Sequence, residues 1–537
     1  MPAPLLISLP HGLNASGVTT WAVRLVNALA PQGRACALVV HDEPPGQRAI
    51  DMPIHPGVEV FDARALPALG ACGGDLSDYL PVYRVALGVL ALRAGGPVVC
   101  MPNLLGDSYG LFAELSRATP DLVRTVAVHH ADLRYNDLLC THYAGHLSAF
   151  VGVSGRLTDR LRSLLPGRGP DIYGVAHGVE PASAVRPREP LAGRPLRLLY
   201  TGRMDHEQKR IGALVAMSDA LVARGVSHEL ALLGDGPAGA EIDDACASRP
   251  CVRRLGPIDP AGVGAALERA DLFVLASRYE GFSVSLLEAL ARGALPVLTP
   301  SLSGTDQLVT DGWNGFIADA TPDCPPERAG SALAAAVERA IGAGDLALHV
   351  AREHALAMVR AAYSAEVCAR RYAAIIDRAA RAPARPWPRG RPAAFTGRGD
   401  GSATVPHDAQ ERLTRLLARL RGRRLAVYGT GRHTIELRDA FVRAGADIAA
   451  FLDDDRARHG HELWGIPIVA PEHAATLGAT DIVISSWLHQ DAMAARCTAL
   501  PGVTVHTLYQ DLAPGPEPRA SARGAAVAGP GLRGSGG

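Results

Sequence analysis

The stretch Arg278-Tyr-Glu-Gly-Phe-Ser-Val-Ser-Leu-Leu-Glu-Ala-Leu-Ala-Arg-Gly293 decides how the rest of the chain is read. It follows Leu272 to Ala276, an apolar run of strand length. Val284, Leu287, Leu290 and Ala291 then recur at helical spacing, so a helix begins near Ser283 and ends at Gly293. A helix that starts just past the carboxyl end of a buried strand offers free N–H groups and the positive end of its dipole to an anion. Glu280 stands before the helix and Glu288 about two turns further on. Carboxylates so placed can bracket a ligand between them. The plainer alternative is that Glu280 caps the helix, which stabilises it by about 1 kcal/mol or less.

Upstream, Leu198-Leu-Tyr-Thr-Gly-Arg-Met-Asp-His-Glu-Gln-Lys-Arg-Ile-Gly212 reads as a strand, a glycine turn, a basic loop and a helix. Arg203 and Lys209 thereby reach the same strand edge, where two cations meet an anionic ligand. Loops of this kind are commonly solvated surface, but the composition argues for more. Of the 54 lysines and arginines, Lys209 is the only lysine. A chain that uses arginine everywhere else and keeps one compact ammonium marks a position that the guanidinium fork does not fit.

Outward from these loops, short apolar runs alternate with longer amphipathic ones to about residue 380, the pattern of an α/β fold with parallel sheets. Expected strands are Leu5–Leu9, Ala35–Val40, Val58–Phe61, Val98–Met101, Val126–His129 and Phe150–Val153, then Leu196–Thr201, Glu229–Leu233, Leu272–Ala276, Leu295–Leu298 and Gly315–Ile317. Two doubly wound, Rossmann-like domains follow, residues 1–185 and 186–381, with strand ends facing a shared crevice. The helical pattern Glu353–Arg381 is expected to close the second. Residues 382–408, rich in Pro, Gly and Arg, read as a linker. Residues 409–512 form a third, smaller Rossmann-like unit, and 513–537 a disordered tail.

The chain of 537 residues is long enough for three or four domains at roughly 150 residues each. Lys plus Arg balances Asp plus Glu at 54 each, which gives no sign of a nucleic-acid partner. The nine cysteines form no CxxC or Cys/His cluster, so no structural zinc is expected, and reduced thiols in the cytoplasm are. The N-terminus lacks the basic start and long apolar stretch of a signal peptide, and Val85–Met101 is broken by Arg93 and Gly95-Gly96-Pro97, so no spanning helix is expected. The basic amphipathic run Arg156–Leu165 reads either as a solvated face or as peripheral contact with anionic lipid at the inner face of the plasma membrane.

Together these features resemble the family 4 retaining glycosyltransferases of GT-B architecture, whose hallmark is two glutamates separated by seven residues, here Glu280 and Glu288. The resemblance covers about residues 1–380, is strongest over Thr201–Asp319, and includes Leu233-Gly234-Asp235-Gly236-Pro237 and Leu255-Gly256. It implies that Arg203 and Lys209 hold the donor diphosphate and that Glu288 bonds the nucleotide ribose. It further implies that Glu280 with the backbone of Gly281, Phe282 and Ser283 meets the donor sugar and phosphates, and that Gly234 and Leu255 line the donor site. Many relatives have glycine where Ser283 stands. The donor is then a UDP- or GDP-sugar, the acceptor a glycan or lipid-linked hydroxyl, and no cofactor is required. No Asp-x-Asp motif occurs in the catalytic half, so independence of metal is expected.

The same resemblance gives roles to the N-terminal half. Leu9 to Trp21 carries a glycine-bearing loop into a helix, where Gly17 is placed for the donor phosphate although relatives have a glycine pair. Val126-Ala-Val-His129-His130 ends a buried strand, and His129, with His130 as competitor, is placed to touch the transferred sugar. His177-Gly178-Val179 stands for an interdomain turn.

In the third unit, Arg424–Tyr428 leads into Gly429-Thr-Gly431-Arg-His-Thr434, and Asp453 ends a second strand, which is half of a dinucleotide-binding pattern with Thr434 in place of the third glycine. Gly429, Gly431 and Asp453 are therefore candidates for NAD(P) or another nucleotide, against a docking or regulatory role. Two other functions remain open: a non-catalytic nucleotide-sugar-binding regulator, and an NAD-linked sugar-modifying activity in residues 424–512. The latter unit has no lysine for a Tyr-x-x-x-Lys pair.

Overall fold

The computed structural model describes residues 2–14, 16–43, 52–206, 208–301, 304–322, 324–395, 409–455, 458–486, 490–497, 500 and 502–509. The first domain is built on strands β1 (Leu5–Leu9), β2 (Cys36–Val40), β3 (Val58–Asp62), β4 (Val98–Met101), β5 (Val123–His129), β6 (Leu147–Gly152) and β7 (Ile172–Gly174). They form one parallel sheet in the order β3-β2-β1-β4-β5-β6-β7. Helices α1 (Gly17–Leu29), α2 (Leu80–Ala94), α3 (Gly106–Ala118), α4 (Arg134–His142) and α5 (Gly155–Leu164) connect them. Strands β1, β2 and β4 to β6 are buried throughout, which is why they read as continuous apolar runs without alternation.

The second sheet has strands β8 (Leu196–Thr201), β9 (His228–Leu233), β10 (Val252–Gly256), β11 (Leu272–Leu275), β12 (Leu295–Leu298) and β13 (Phe316–Ile317), ordered β10-β9-β8-β11-β12-β13. Its helices are α6 (Ile211–Ala223), α7 (Gly239–Ala247), α8 (Pro260–Arg269), α9 (Val284–Ala291) and the long α10 (Pro326–Met358), kinked at Gly344. In both sheets the strand order reverses beside the first strand, at β1/β4 and at β8/β11. Ligand crevices of open α/β sheets lie outside such switch points.

Three differences from the sequence reading have physical causes. Strands β7 and β10 went unforeseen: β7 has three residues, and β10 is an edge strand whose Arg253 and Arg254 mask its period. Helix α11 (Ala365–Arg381) does not close the second domain but returns to the first. Arg34 grips Asp377 through two bonds of 2.8 and 3.1 Å, and Tyr372 packs on Trp21 at 5.6 Å between ring centroids. Residues 382–395 are likewise no free linker. Trp387 and Phe395 are buried in the first domain, Tyr143 donates to the Ala393 carbonyl at 2.7 Å, and Phe395 lies so close over Gly106 that a Cβ there would collide with it. Two aromatic anchors outweigh a polar, proline-rich composition. The rest of that stretch, and the tail 513–537, lie outside the described residues.

The third domain comprises α12 (Ala409–Arg419), β14 (Arg424–Tyr428), α13 (Arg432–Glu436), α14 (Arg438–Ala444), β15 (Asp447–Leu452), β16 (Glu462–Leu463), β17 (Ile466–Val469), β18 (Asp481–Ile484), α15 (Gln490–Cys497) and β19 (Thr504–Thr507). Its sheet runs β16-β17-β15-β14-β18-β19, parallel except for the β16–β17 edge pair. Leu138 of α4 packs on its core beside residues such as Leu413 and Phe441, so this domain rests on the first. Among the described residues no helix is long and apolar enough to cross a membrane.

Candidate active site

The basic loop after β8 is held by a residue that sequence reading passed over. Asp205 accepts from the backbone N–H groups of Gln208 and Lys209 at 2.7 and 3.1 Å, and from Arg203 Nε at 3.0 Å. One short carboxylate thus folds the turn and ties both cations to it, as Asp side chains do in local turns. Arg210 anchors the far end. Its backbone is left-handed (φ 49°), and its guanidinium, almost wholly buried, donates to the carbonyls of Ala276 and Pro322 at 2.7 and 2.6 Å. The Asp at i before two loop amides was a visible signal; the buried arginine, among so many others, was not.

This loop meets the one that precedes α9. Arg278 N–H donates to the Gln208 carbonyl at 2.8 Å, and Lys209 Nζ reaches Glu280 Oε1 at 2.5 Å. Glu280, buried, also accepts from Ser277 at 2.7 Å. Ser283 caps α9 by accepting from Leu286 N–H, so the helix starts where the sequence places it. Arg203 keeps 61% of its side chain exposed, and Lys209 only 14%. The arrangement is one solvent-facing cation and one recessed ion pair beside a helix N-terminus, a set of charges suited to a diphosphate.

The opposite wall comes close. A Cβ added to Gly17, at the start of α1, would stand 3.3 Å from Val284, and one on Gly281 would run into the His130 carbonyl. At Gly281 only glycine lets the two backbones approach, whereas at Gly17 a side chain would merely crowd the Val284 methyl. Phe282 stacks on His177 at 5.9 Å with planes 13° apart, which couples the loop before α9 to the segment after β7. Glu288 accepts from Arg24 of α1 at 2.6 Å across the cleft. Gly234, at φ 139°, sits against the Gly202 carbonyl with no room for a side chain, and Leu255 is half exposed at the carboxyl end of β10.

The two histidines part company. His129 Nε2 bonds Asp137 of α4 at 2.9 Å, whose other oxygen takes Arg160 at 2.8 Å from Nε. Burial pushes the Asp137 carboxyl up, but the bonds from His129 and Arg160 outweigh it and hold it below the usual range. His130 is the one whose backbone meets Gly281. Its ring lies 4.8 Å from Trp21 and bonds Asn103, and burial with the neighbouring His177 and His129 holds it well below the ordinary histidine range. On α5, Arg156, Arg160 and Arg162 pair with Asp132, Asp137 and Asp159, the Arg160 pair being the recessed one and the Arg162 pair exposed.

In the third domain the candidate nucleotide residues do not fit a dinucleotide. The Asp453 carboxylate is taken by Thr430 Oγ1, by Asp455 N–H at 2.9 Å and by Arg458 at 3.4 Å. Thr434 folds back to donate to the Gly429 carbonyl at 2.6 Å, filling the turn that a third glycine would leave open. Gly429 and Gly431 shape the turn after β14. Among the described residues, no group of three or more His, Cys, Asp or Glu is placed to hold a metal ion.

The two facing parallel sheets, with both switch points on one cleft and the Glu280/Glu288 pair beside a cationic loop, have the GT-B arrangement, and the second domain is similar to glycosyltransferases of the group 1, family 4 type. Residues 195–342 match the family described as glycosyl transferases group 1, a stretch that holds the six strands of the second sheet and the loops after β8 and before α9. Over 342 residues the chain is 28% identical to a GDP-mannose-dependent alpha-mannosyltransferase of Mycolicibacterium smegmatis, covering 57% of this chain and 81% of that one. It is 29% identical over 196 residues to the glycogen synthase of Mycobacterium tuberculosis, covering 35% of this chain but only 44% of the synthase. Among solved structures, sucrose-phosphate synthase from Thermosynechococcus elongatus shares the fold with a TM-score of 0.53 at 17% identity, over 70% of this chain and 98% of that one.

Proposed function

We propose that this protein is a retaining, metal-independent hexosyltransferase that takes its sugar from UDP or GDP and passes it to a hydroxyl of a glycan or lipid-linked acceptor. The observation that carries this is the recessed Lys209–Glu280 pair, with Arg203 beside it, at the N-terminus of α9. In the reaction the bond from the sugar C1 to the diphosphate oxygen breaks and a bond from C1 to the acceptor oxygen forms on the same face. The acceptor proton passes to a phosphate oxygen. Arg203, Lys209 and the helix N-terminus stabilise the negative charge that grows on the leaving diphosphate, as preorganised donors do in a cleft poor in water. Glu280 orients the ammonium and the sugar, and Glu288 holds the ribose. The mannosyltransferase relative supports GDP as the nucleotide. The nine cysteines, none of them disulfide-bonded, suit a cytoplasmic site of action.

The third domain acts as a docking module; its packing on Leu138 and the filled turn at Thr434 support that over nucleotide binding. A thermal-shift panel of UDP, GDP and ADP on wild type and Lys209→Ala tests the reading. Stabilisation of the wild type by one diphosphate, lost in the variant, is expected; equal shifts in both proteins would remove Lys209 from the site.

A further inference from the structure

Arg24 is a cation that neither the motif nor its spacing brings to the donor residues. It lies on α1, about two turns beyond Gly17, and its Nη2 crosses the cleft to Glu288 at 2.6 Å, about one turn beyond Val284 on α9. The start of α1 thus comes near Val284 at Gly17, and about two turns on Arg24 reaches Glu288, so the two helices approach at these two points. Both side chains keep under a quarter of their surface exposed. The other arm of the fork, Nη1, is buried and finds no acceptor among the described residues. A guanidinium N–H withdrawn from water and left unpaired is unfavourable, so a ligand oxygen reaching it gains what the protein alone does not supply. Arg24 also lies close enough to His177 to disfavour a second positive charge there.

We propose that Arg24 is a nucleotide-binding residue contributed by the wall opposite the donor loops. It fixes the Glu288 carboxylate with one arm and donates with the other to the ribose end of a nucleoside diphosphate. This rests on the reading of the cleft as a nucleotide-sugar site. It adds a physical link that the glutamate pair does not contain. Only with the two domains together does Arg24 reach Glu288, so nucleotide binding and closure of the cleft favour one another. A fork with two donors suits the task because each arm has its own acceptor, which an ammonium on a flexible stem does not reproduce.

The test is calorimetric titration of UDP, GDP and their 3′-deoxy analogues into wild type, Arg24→Ala, Arg24→Gln, Glu288→Ala and the double variant Arg24→Ala/Glu288→Ala, with melting temperatures to show that each protein is folded. Wild type is expected to bind one diphosphate and to lose roughly tenfold when the 3′-hydroxyl is removed, the scale of one hydrogen bond to a charged group. Arg24→Ala and Arg24→Gln are expected to bind the parent nucleotide about tenfold more weakly and to lose most of the preference for the hydroxyl. The double variant is expected to bind little worse than Glu288→Ala. In turnover, the donor KM rises while kcat changes less than threefold. If wild type binds a diphosphate and folded Arg24→Ala binds it equally well or better, the role of Arg24 is overturned and the nucleotide-sugar site stands. If wild type binds neither UDP nor GDP, the site reading itself falls and the role of Arg24 with it.

Discussion

The two walls of the cleft handle charge in opposite ways. The wall carrying β8 and α9 gathers its ionic groups at a loop surface: Arg203 faces solvent, Lys209 is paired with Glu280, and Asp205 organises both. The first domain, which carries the facing wall, instead buries several histidines and keeps them neutral, while Asp137 stays ionised against Arg160 and Arg24 reaches out to Glu288. Burial holds His41 and His146 down to about 4 and His177 to about 3, with His130 also well below its ordinary value. One wall sets its charges at the cleft surface, and the domain behind the other buries neutral rings.

The largest expected effect that separates them is in acid. Each of these histidines is neutral when folded and takes up a proton near its ordinary value of 6.5 when unfolded. The stability they contribute is therefore complete above about pH 6.5 and is lost as the pH falls from there toward about 4, or about 3 for His177. Each such histidine removes up to about 1.4 kcal/mol per pH unit within that window. Urea unfolding at pH 7.5 and pH 5.5 is expected to show a drop of several kcal/mol in the first domain. A midpoint that does not move between the two would mean that this wall opens and hydrates its histidines.

Next in size is Lys209→Ala, which removes the recessed cation from the other wall. Turnover is expected to fall by about 100- to 1000-fold, roughly 3 kcal/mol or a little more, as for loss of a transition-state donor, and the melting temperature is expected to fall as well, because Glu280 is left buried without its cation. Lys209→Arg should recover little if the compact ammonium is what the site requires. A variant with near wild-type rate would erase the distinction between the walls.

The donor wall was legible because its parts are local. The glutamates, the glycine loop and the start of α9 fall within sixteen consecutive residues, and the lone lysine stood out by composition. The buried central strands were legible too, since a sheet covered on both faces leaves unbroken apolar runs. The facing wall was not. His129 at the end of β5 bonds Asp137 on α4, His130 bonds Asn103, and Arg24 bonds Glu288 across 264 positions, and no periodicity records such partners. The return of α11 and of Trp387 to the first domain escaped notice for the same reason: a helix pattern shows which face is apolar, not which sheet receives it.

Gly281→Ala probes the seam between the walls. Its Cβ collides with the His130 carbonyl, a backbone atom with little freedom to move aside. The expected loss is about 1–3 kcal/mol of closure, the range for overpacking, read as a 10- to 100-fold fall in kcat/KM while the isolated stability of each wall is kept. An unaffected kcat/KM would show that the working enzyme never brings Gly281 against His130.

The smallest effect expected is at Leu138, where the third domain touches the facing wall. Leu138 is only partly buried, and it packs both on the core around Leu413 and Phe441 and on the cluster containing Leu139 and Tyr143. Its neighbour Asp137 holds His129 and Arg160, so the docked domain bears on the helix that fixes that histidine. Truncation to alanine removes apolar contact on both sides, at a cost of about 1 kcal/mol, below the range for a fully buried leucine. Hydrogen exchange of the α12 amides is expected to quicken about fivefold, with kcat changed less than twofold. A larger fall in kcat, with α12 still protected, would mean that the third domain matters to the reaction through α4 and is more than a docking module.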